Sequence, residues 1–202
     1  MPKLLIATTN RGKVAEYRYL FQGLLFELVT PADEGINAKV EEGHNSMAEN
    51  AQQKAEFYAR SSGLITVADD SGLEVDALGG EPGIHSARYA GEGATDRDRI
   101  VYLLGKLKEI PWEERTARFR CVIAVATPGG MLETCEGECE GFIAFEAKGE
   151  NGFGYDPIFY LPEFDKTMAE LPLEIKNQIS HRARAAQKVY CVLERFADKA
   201  RL

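Results

Sequence analysis

No hydrophobic run in this sequence approaches the roughly 20 apolar residues that a membrane-crossing helix needs. Met1-Pro2-Lys3 leads straight into a short apolar stretch, without the long hydrophobic core and small-residue cleavage site of a signal peptide. A cytoplasmic setting with no membrane partner is therefore expected. Cysteine is scarce, with 4 in 202 residues and no spacing typical of a zinc site or a disulfide framework. Cys135 and Cys139 are the nearest pair, but no second pair stands beside them, so they read as ordinary thiols. Positive charge is also short: 24 Lys and Arg against 32 Asp and Glu leave a net charge of −8. That balance disfavours non-specific binding to nucleic acid, which needs clustered basic surface. An anionic substrate would have to be met by local positive charge. No repeat, low-complexity segment or linker interrupts the chain.

What is present suffices for a full core: 45% of the residues are hydrophobic, and a chain of this length can fold without staples. A single domain over residues 1–202, with two lobes, is expected. Lys3 to Thr8 reads as a buried strand and Lys13 to Leu25 carries helix-period apolar residues. A short strand follows at Phe26 to Thr30, then an acidic loop to Gly43. Ser46 and Glu49 form a capping-box pattern for a helix that Gly63 would stop. Leu64 to Ala68 is the next apolar run, and the acidic stretch Asp69-Asp70-Ser71-Gly72 separates it from Leu73 to Leu78. Thr95 to Glu109 is helical in pattern. Phe119 to Thr127 and Met131 to Phe145 flank Pro128-Gly129-Gly130 as a hairpin, and a final amphipathic helix starts at Ser180. Helices interleaved with strands, plus one tight hairpin, predict an α/β fold with a mixed sheet and flanking helices.

Several segments carry candidate chemistry. Thr8-Thr9-Asn10-Arg11-Gly12-Lys13 joins a strand to a helix, where backbone N–H groups and the helix dipole favour an anion. It lacks the paired glycines of a Walker A loop, and a plain helix cap by Asn10 explains it as well. Asp69 and Asp70 follow a hydrophobic strand; in extended backbone they point to opposite faces, so one of them serves a given pocket. Such hard oxygens suit magnesium, with Glu41 and Glu42 as further candidates. A solvated acidic turn is the competing reading. Asn50 and Lys54, four apart on a helix, can reach one partner. Gly152-Phe153-Gly154-Tyr155-Asp156-Pro157 sets aromatics among glycines, a composition that lets backbone approach a planar ligand, unless the rings tuck into the core. Lys176, Ser180, His181 and Arg182 crowd the start of the last helix, where cations are unfavourable without a bound anion or polar ligand. Phosphate loop, carboxylates, aromatic shelf and basic cluster together point to a nucleotide.

The same stretches, with Glu49-Asn50-Ala51, Lys54-Ala55, Leu78-Gly79-Gly80, Pro82-Gly83 and Ser86-Ala87-Arg88-Tyr89, resemble the inosine/xanthosine triphosphate pyrophosphatase family over essentially the whole chain. The family's acidic-threonine-glycine block reads Glu41-Glu42-Gly43-His44 here, which leaves both glutamates open as metal ligands. The resemblance implies a homodimeric enzyme with an elongated α/β fold and a central substrate cleft between two lobes. It implies that Thr8, Thr9, Asn10, Arg11, Gly12, Lys13, Lys54 and Ser71 hold the triphosphate. Asp70 would bind magnesium with Glu42, or Glu41 in its place, and serve as general base. Phe153 would stack on the purine beside Gly154 and Tyr155, with Asp156, Lys176, His181 and Arg182 lining the base pocket.

The activity implied is hydrolysis of ITP, dITP or XTP to the monophosphate and pyrophosphate, with a water attacking the α-phosphorus. Two other readings would use the same groups: a nucleotide sensor without turnover, and a phosphatase with Asp69 or Asp70 as nucleophile.

Overall fold

The computed structural model describes residues 1–38, 40 and 46–199. A mixed seven-stranded sheet in the order β2-β1-β3-β4-β5-β6-β7 carries the fold. Its strands are β1 (Lys3–Ile6), β2 (Glu27–Val29), β3 (Ile65–Val75), β4 (Thr116–Ala126), β5 (Leu132–Ile143), β6 (Phe159–Leu161) and β7 (Lys166–Thr167). The helices are α1 (Arg11–Leu20), α2 (Met47–Ser62), α3 (Asp96–Lys106), α4 (Leu173–Ile179) and α5 (His181–Lys199). Strand β1 pairs in parallel with β2 and β3, whereas β6 pairs antiparallel with β5 and β7. The expected α/β class with a mixed sheet is the one observed. The chain forms two compact units: residues 1–70, 121–137 and 181–202, and residues 71–120 and 138–180.

In the first unit, Asn10 caps α1 by accepting from the N–H groups of Gly12 and Lys13. Ser46 caps α2 through Glu49 N–H, and Gly63, at φ 70°, ends it in the left-handed conformation that glycine adopts without a Cβ penalty. Leu4, Ile6, Tyr17, Phe21, Val67, Ile123 and Val125 pack with Ala185, Val189 and Leu193 of α5 in one apolar cluster. Burial of each large side chain of this kind contributes roughly 1.5–3 kcal/mol.

In the second unit, Thr95 and Asp98 form a reciprocal capping box at the start of α3. Its other end meets Arg115, 2% exposed, whose Nη2 donates to Leu107 O (2.6 Å) and Nε to Ile110 O (3.0 Å). The guanidinium thereby ties the C-cap of α3 to the loop that follows it. Leu73, Val75, Leu103, Phe119, Ile143, Ile158, Phe159 and Met168 form this unit's core.

Two expectations change. The acidic stretch at positions 69–72 is no turn: β3 runs unbroken through it, joining the two apolar runs into one 11-residue strand. Helix α4, seven residues long and opening after Pro172, was not foreseen, because so short a segment shows little periodicity.

Candidate active site

Strand β3 sends its two adjacent carboxylates to different partners, as the alternation of an extended backbone requires. Asp69, 2% exposed, takes Lys13 Nζ at 2.9 Å and Arg182 Nη2 and Nε at 3.3 Å, all on Oδ2. Arg182 in turn holds Glu16 Oε2 at 2.5 Å through Nη1. Asp70 accepts instead from Asn50 Nδ2 of α2 (2.9 Å), while Lys54, one turn further along α2, donates to the main-chain oxygen of Asp69 (2.6 Å). Asn50 and Lys54 thus both bond to strand β3, at the Asp70 carboxylate and the Asp69 main-chain oxygen.

Burial by itself pushes the Asp69 carboxyl up, and the cations of Lys13, Arg182 and Lys54 outweigh it, holding the group well below the usual carboxylate range. Asp69 is therefore an ionised structural anchor. The same carboxylates raise Arg182 against the lowering effect of its burial. Cys121 Sγ, 3.8 Å from Asp69 Oδ2, is pushed up by burial and then by that carboxylate, which leaves it a neutral thiol.

The solvated-turn reading of this acidic pair does not survive, since a solvated turn would not bury Asp69 at 2% and Asp70 at 9% exposure. Nor does Arg182 need a bound anion to explain a cation at a helix start: Glu16 and Asp69 supply the countercharge from within the protein. Its guanidinium, expected at the base pocket, is occupied by these two acids. His181, beside it, is 4% exposed.

On the loop before α1, Thr8 is half-buried and Thr9 and Asn10 are exposed, as is Arg11, the first residue of the helix. The capping reading holds for Asn10, whose Oδ1 takes the N–H groups of Gly12 (2.8 Å) and Lys13 (3.2 Å). Those two amides are thus taken up by the cap, and the Lys13 ammonium by Asp69.

In the second unit, Asp156, 3% exposed, accepts from Phe153 N–H (2.8 Å) and from Lys176 Nζ (2.5 Å). The Lys176 ammonium lies 4.8 Å from the centroid of the half-buried Phe153 ring, a cation–π contact. Gly152 has φ 76°, and a Cβ there would collide with the Asp156 carboxylate. Gly154 N–H donates to Asp96 Oδ2 (2.7 Å), an acid that the sequence reading left out. Lys176 belongs to α4 and not to the start of the last helix. Tyr155 departs from the expected ligand shelf: it is 4% exposed, sits in the core, and donates its hydroxyl to Ser86 O (2.9 Å). Phe153 stays half-buried beside Lys176 while Tyr155 lies in the core, so the two rings have different surroundings.

For a hard cation, the donor set around Asp70 fits. Asn50 Oδ1 is buried without a hydrogen-bond partner among the described residues, and its amide nitrogen is bonded to the Asp70 carboxylate. Magnesium needs few protein ligands, since it keeps waters and shares substrate phosphates. Among the described residues no cluster of three or more His, Cys, Asp or Glu side chains could hold a metal. Glu41 and Glu42, the other candidate ligands, and His44 lie outside the described residues.

Residues 4–191 match the model of the Ham1 family. A dITP/XTP pyrophosphatase of Desulforamulus reducens is 50% identical over 194 residues, covering 96% of each chain. The dITP/XTP pyrophosphatase of Bacillus subtilis is 48% identical over 194 residues, 96% of this chain and 98% of the relative. Among solved structures, a HAM1 protein from Coxiella burnetii superposes with a TM-score of 0.87 at 40% identity, over 96% of this chain and 100% of that one. The Staphylococcus aureus Ham1 protein gives 0.84 at 43% identity, over 95% and 98%. With the family model matching residues 4–191 and relatives about half identical over 96% of its length, the chain belongs to the Ham1 family.

Proposed function

We propose that this protein hydrolyses non-standard purine nucleoside triphosphates, of the ITP, dITP and XTP kind, to the monophosphate and pyrophosphate. The names of its relatives support that reading. The observation that carries the chemistry is the division of labour on β3. Asp69 is sealed among cations, and Asp70, one residue on, accepts from the Asn50 amide, whose own oxygen is buried without a hydrogen-bond partner among the described residues.

In this mechanism Asp70 orients a water, or takes its proton, as the water oxygen forms a bond to the α-phosphorus. The bond from that phosphorus to the bridging oxygen breaks, and pyrophosphate leaves. Lys13 and Lys54 offset charge on the phosphates in this reading, and Thr8, Thr9, Asn10, Arg11, Gly12 and Ser71 complete the polar lining. Asp70, with Glu42 or Glu41, would hold magnesium, which would supply positive charge to the leaving group. Phe153 offers the purine a face, and Lys176, positioned by Asp156, offers a donor to a 6-oxo group. Adenine presents an amino group there and would leave the donor unpaired, a mismatch that can cost about 10⁴-fold or more. Gly154, His181 and Arg182 remain in the proposed site, the last through its hold on Asp69.

An aspartyl-phosphate phosphatase is disfavoured for Asp69, whose side chain is 1% exposed behind two cations. A cytoplasmic homodimer completes the proposal; no described helix is long and apolar enough to cross a membrane.

Product analysis with ITP, XTP, ATP and GTP, with and without magnesium, tests it. Pyrophosphate from ITP and XTP in preference to ATP and GTP, dependent on magnesium and lost in Asp70→Asn, is the expected result. Orthophosphate release would favour the phosphatase, and binding without turnover the sensor. Sedimentation analysis of the purified chain tests the dimer.

A further inference from the structure

Strand β5 and helix α5 lie against each other along a register that three contacts fix. At one end, a Cβ on Gly137 would meet Arg184 Cβ at 3.0 Å and Ala185 N at 2.5 Å, and would collide with His181 O. The helix backbone therefore rests directly on the strand. Further along, Lys188 Nζ donates to Glu136 O (2.7 Å), and at the far end Arg195 Nη2 pairs with Glu133 Oε2 (2.8 Å).

Residues 133, 135 and 137 share one face of the strand, because side chains alternate. Positions 184, 188, 191 and 195 share one stripe of the helix, at spacings of four, three and four. Between the contacts at Gly137 and Glu133, the residue of β5 facing the helix is Cys135. Between Lys188 and Arg195, the residue of α5 on that stripe is Cys191. Both are free thiols, Cys135 half-buried against the first unit's apolar cluster and Cys191 exposed.

We propose that Cys135 and Cys191 are a redox-active pair that closes to an intrachain disulfide under hydroperoxide, pinning α5 to β5. The exposed Cys191 thiolate attacks the peroxide: an S–O bond forms, the O–O bond breaks, and hydroxide leaves. The Cys135 thiolate then attacks the sulfenic sulfur, forming the S–S bond and expelling a second hydroxide. Two thiols and one hydrogen peroxide give one disulfide and two waters, and a dithiol reductant reverses the change. Burial, then Glu133, push the Cys135 thiol up, while Lys188 and Arg195 oppose them; Cys191 is itself among the groups acting on Cys135, as facing sulfurs would be. The bond would tie down the helix whose first turn holds Arg182 on Asp69.

The test treats the reduced full-length chain with hydrogen peroxide, blocks remaining thiols, and digests without reductant for mass spectrometry. The expected product is a peptide pair joining Cys135 to Cys191, removed by dithiothreitol. The oxidised protein should also melt several degrees above the reduced one, because the cross-link restricts the unfolded chain. Neither change should occur in Cys191→Ser, an exposed and tolerant substitution, nor in Cys135→Ser. Oxidation of Cys191 to sulfinic acid with Cys135 still alkylatable would overturn the proposal, as would Cys191 links between chains.

Discussion

Arg182 Nη1 lies 2.5 Å from Glu16 Oε2, joining the first turn of α5 to α1 across 166 positions of sequence. The same guanidinium grips Asp69, so one cation organises two buried acids, and a third group, Lys13, balances the remaining charge. Charges withdrawn from water in this way depend on one another. Taking one partner out leaves others uncompensated in a low dielectric.

Arg182→Met should therefore destabilise the protein by about 3–5 kcal/mol, the usual consequence of breaking a buried ion pair from one side. Urea unfolding monitored by circular dichroism measures this. A loss below about 1 kcal/mol, the size of an exposed pair, would mean that the triad is not the anchor described here.

Stability should fall in acid through Asp69. Its folded carboxyl is held below its unfolded value of about 3.9, so its contribution is complete above that pH and is lost as the pH falls towards the folded value. Between about pH 4 and pH 2, the wild type should lose stability more steeply than Asp69→Asn, which has no proton to bind there. Parallel slopes in the two proteins would remove Asp69 as the source.

Asp70→Asn should retain the fold and lose turnover. A positioned general base is worth roughly 10²–10⁴-fold, and kcat for ITP should drop by that order while the melting temperature moves little. Asn50→Ala, which removes the amide holding Asp70 Oδ2, should lower kcat by a smaller factor. Full activity in Asp70→Asn would relocate the base.

Gly152→Ala should disturb purine recognition. Its φ of 76° and the nearby Asp156 carboxylate leave no room for a methyl group, so Asp156 must shift and Lys176 with it. The strained backbone alone costs about 1–3 kcal/mol. KM for ITP should rise more than kcat falls, and preference over ATP should narrow. Unchanged kinetics would separate Lys176 from base reading.

Some of the site is legible in the sequence alone. Asn10 and Ser46 announce their helix starts because capping is local chemistry, and the spacing of Asn50 and Lys54 places both on one face of α2. The opposition of Asp69 and Asp70 follows from strand alternation alone. Tyr155 was misplaced because nothing in a glycine-rich stretch says which ring faces inward; the hydroxyl's bond to Ser86, 69 positions away, decides it. Glu16 went without a role for the same reason, since an acid on a helix surface and one beneath α5 are written alike.

By itself the sequence determined the α/β class, the helix caps and the strand segments, because propensity, alternation and capping act over a few residues. Which carboxylate of the adjacent pair is sealed, which cation seals it, and that Lys176 answers to Asp156 were decided only by tertiary structure. Those outcomes depend on burial and on charges brought together from distant positions, and burial is a property of the packed chain, not of any segment of it.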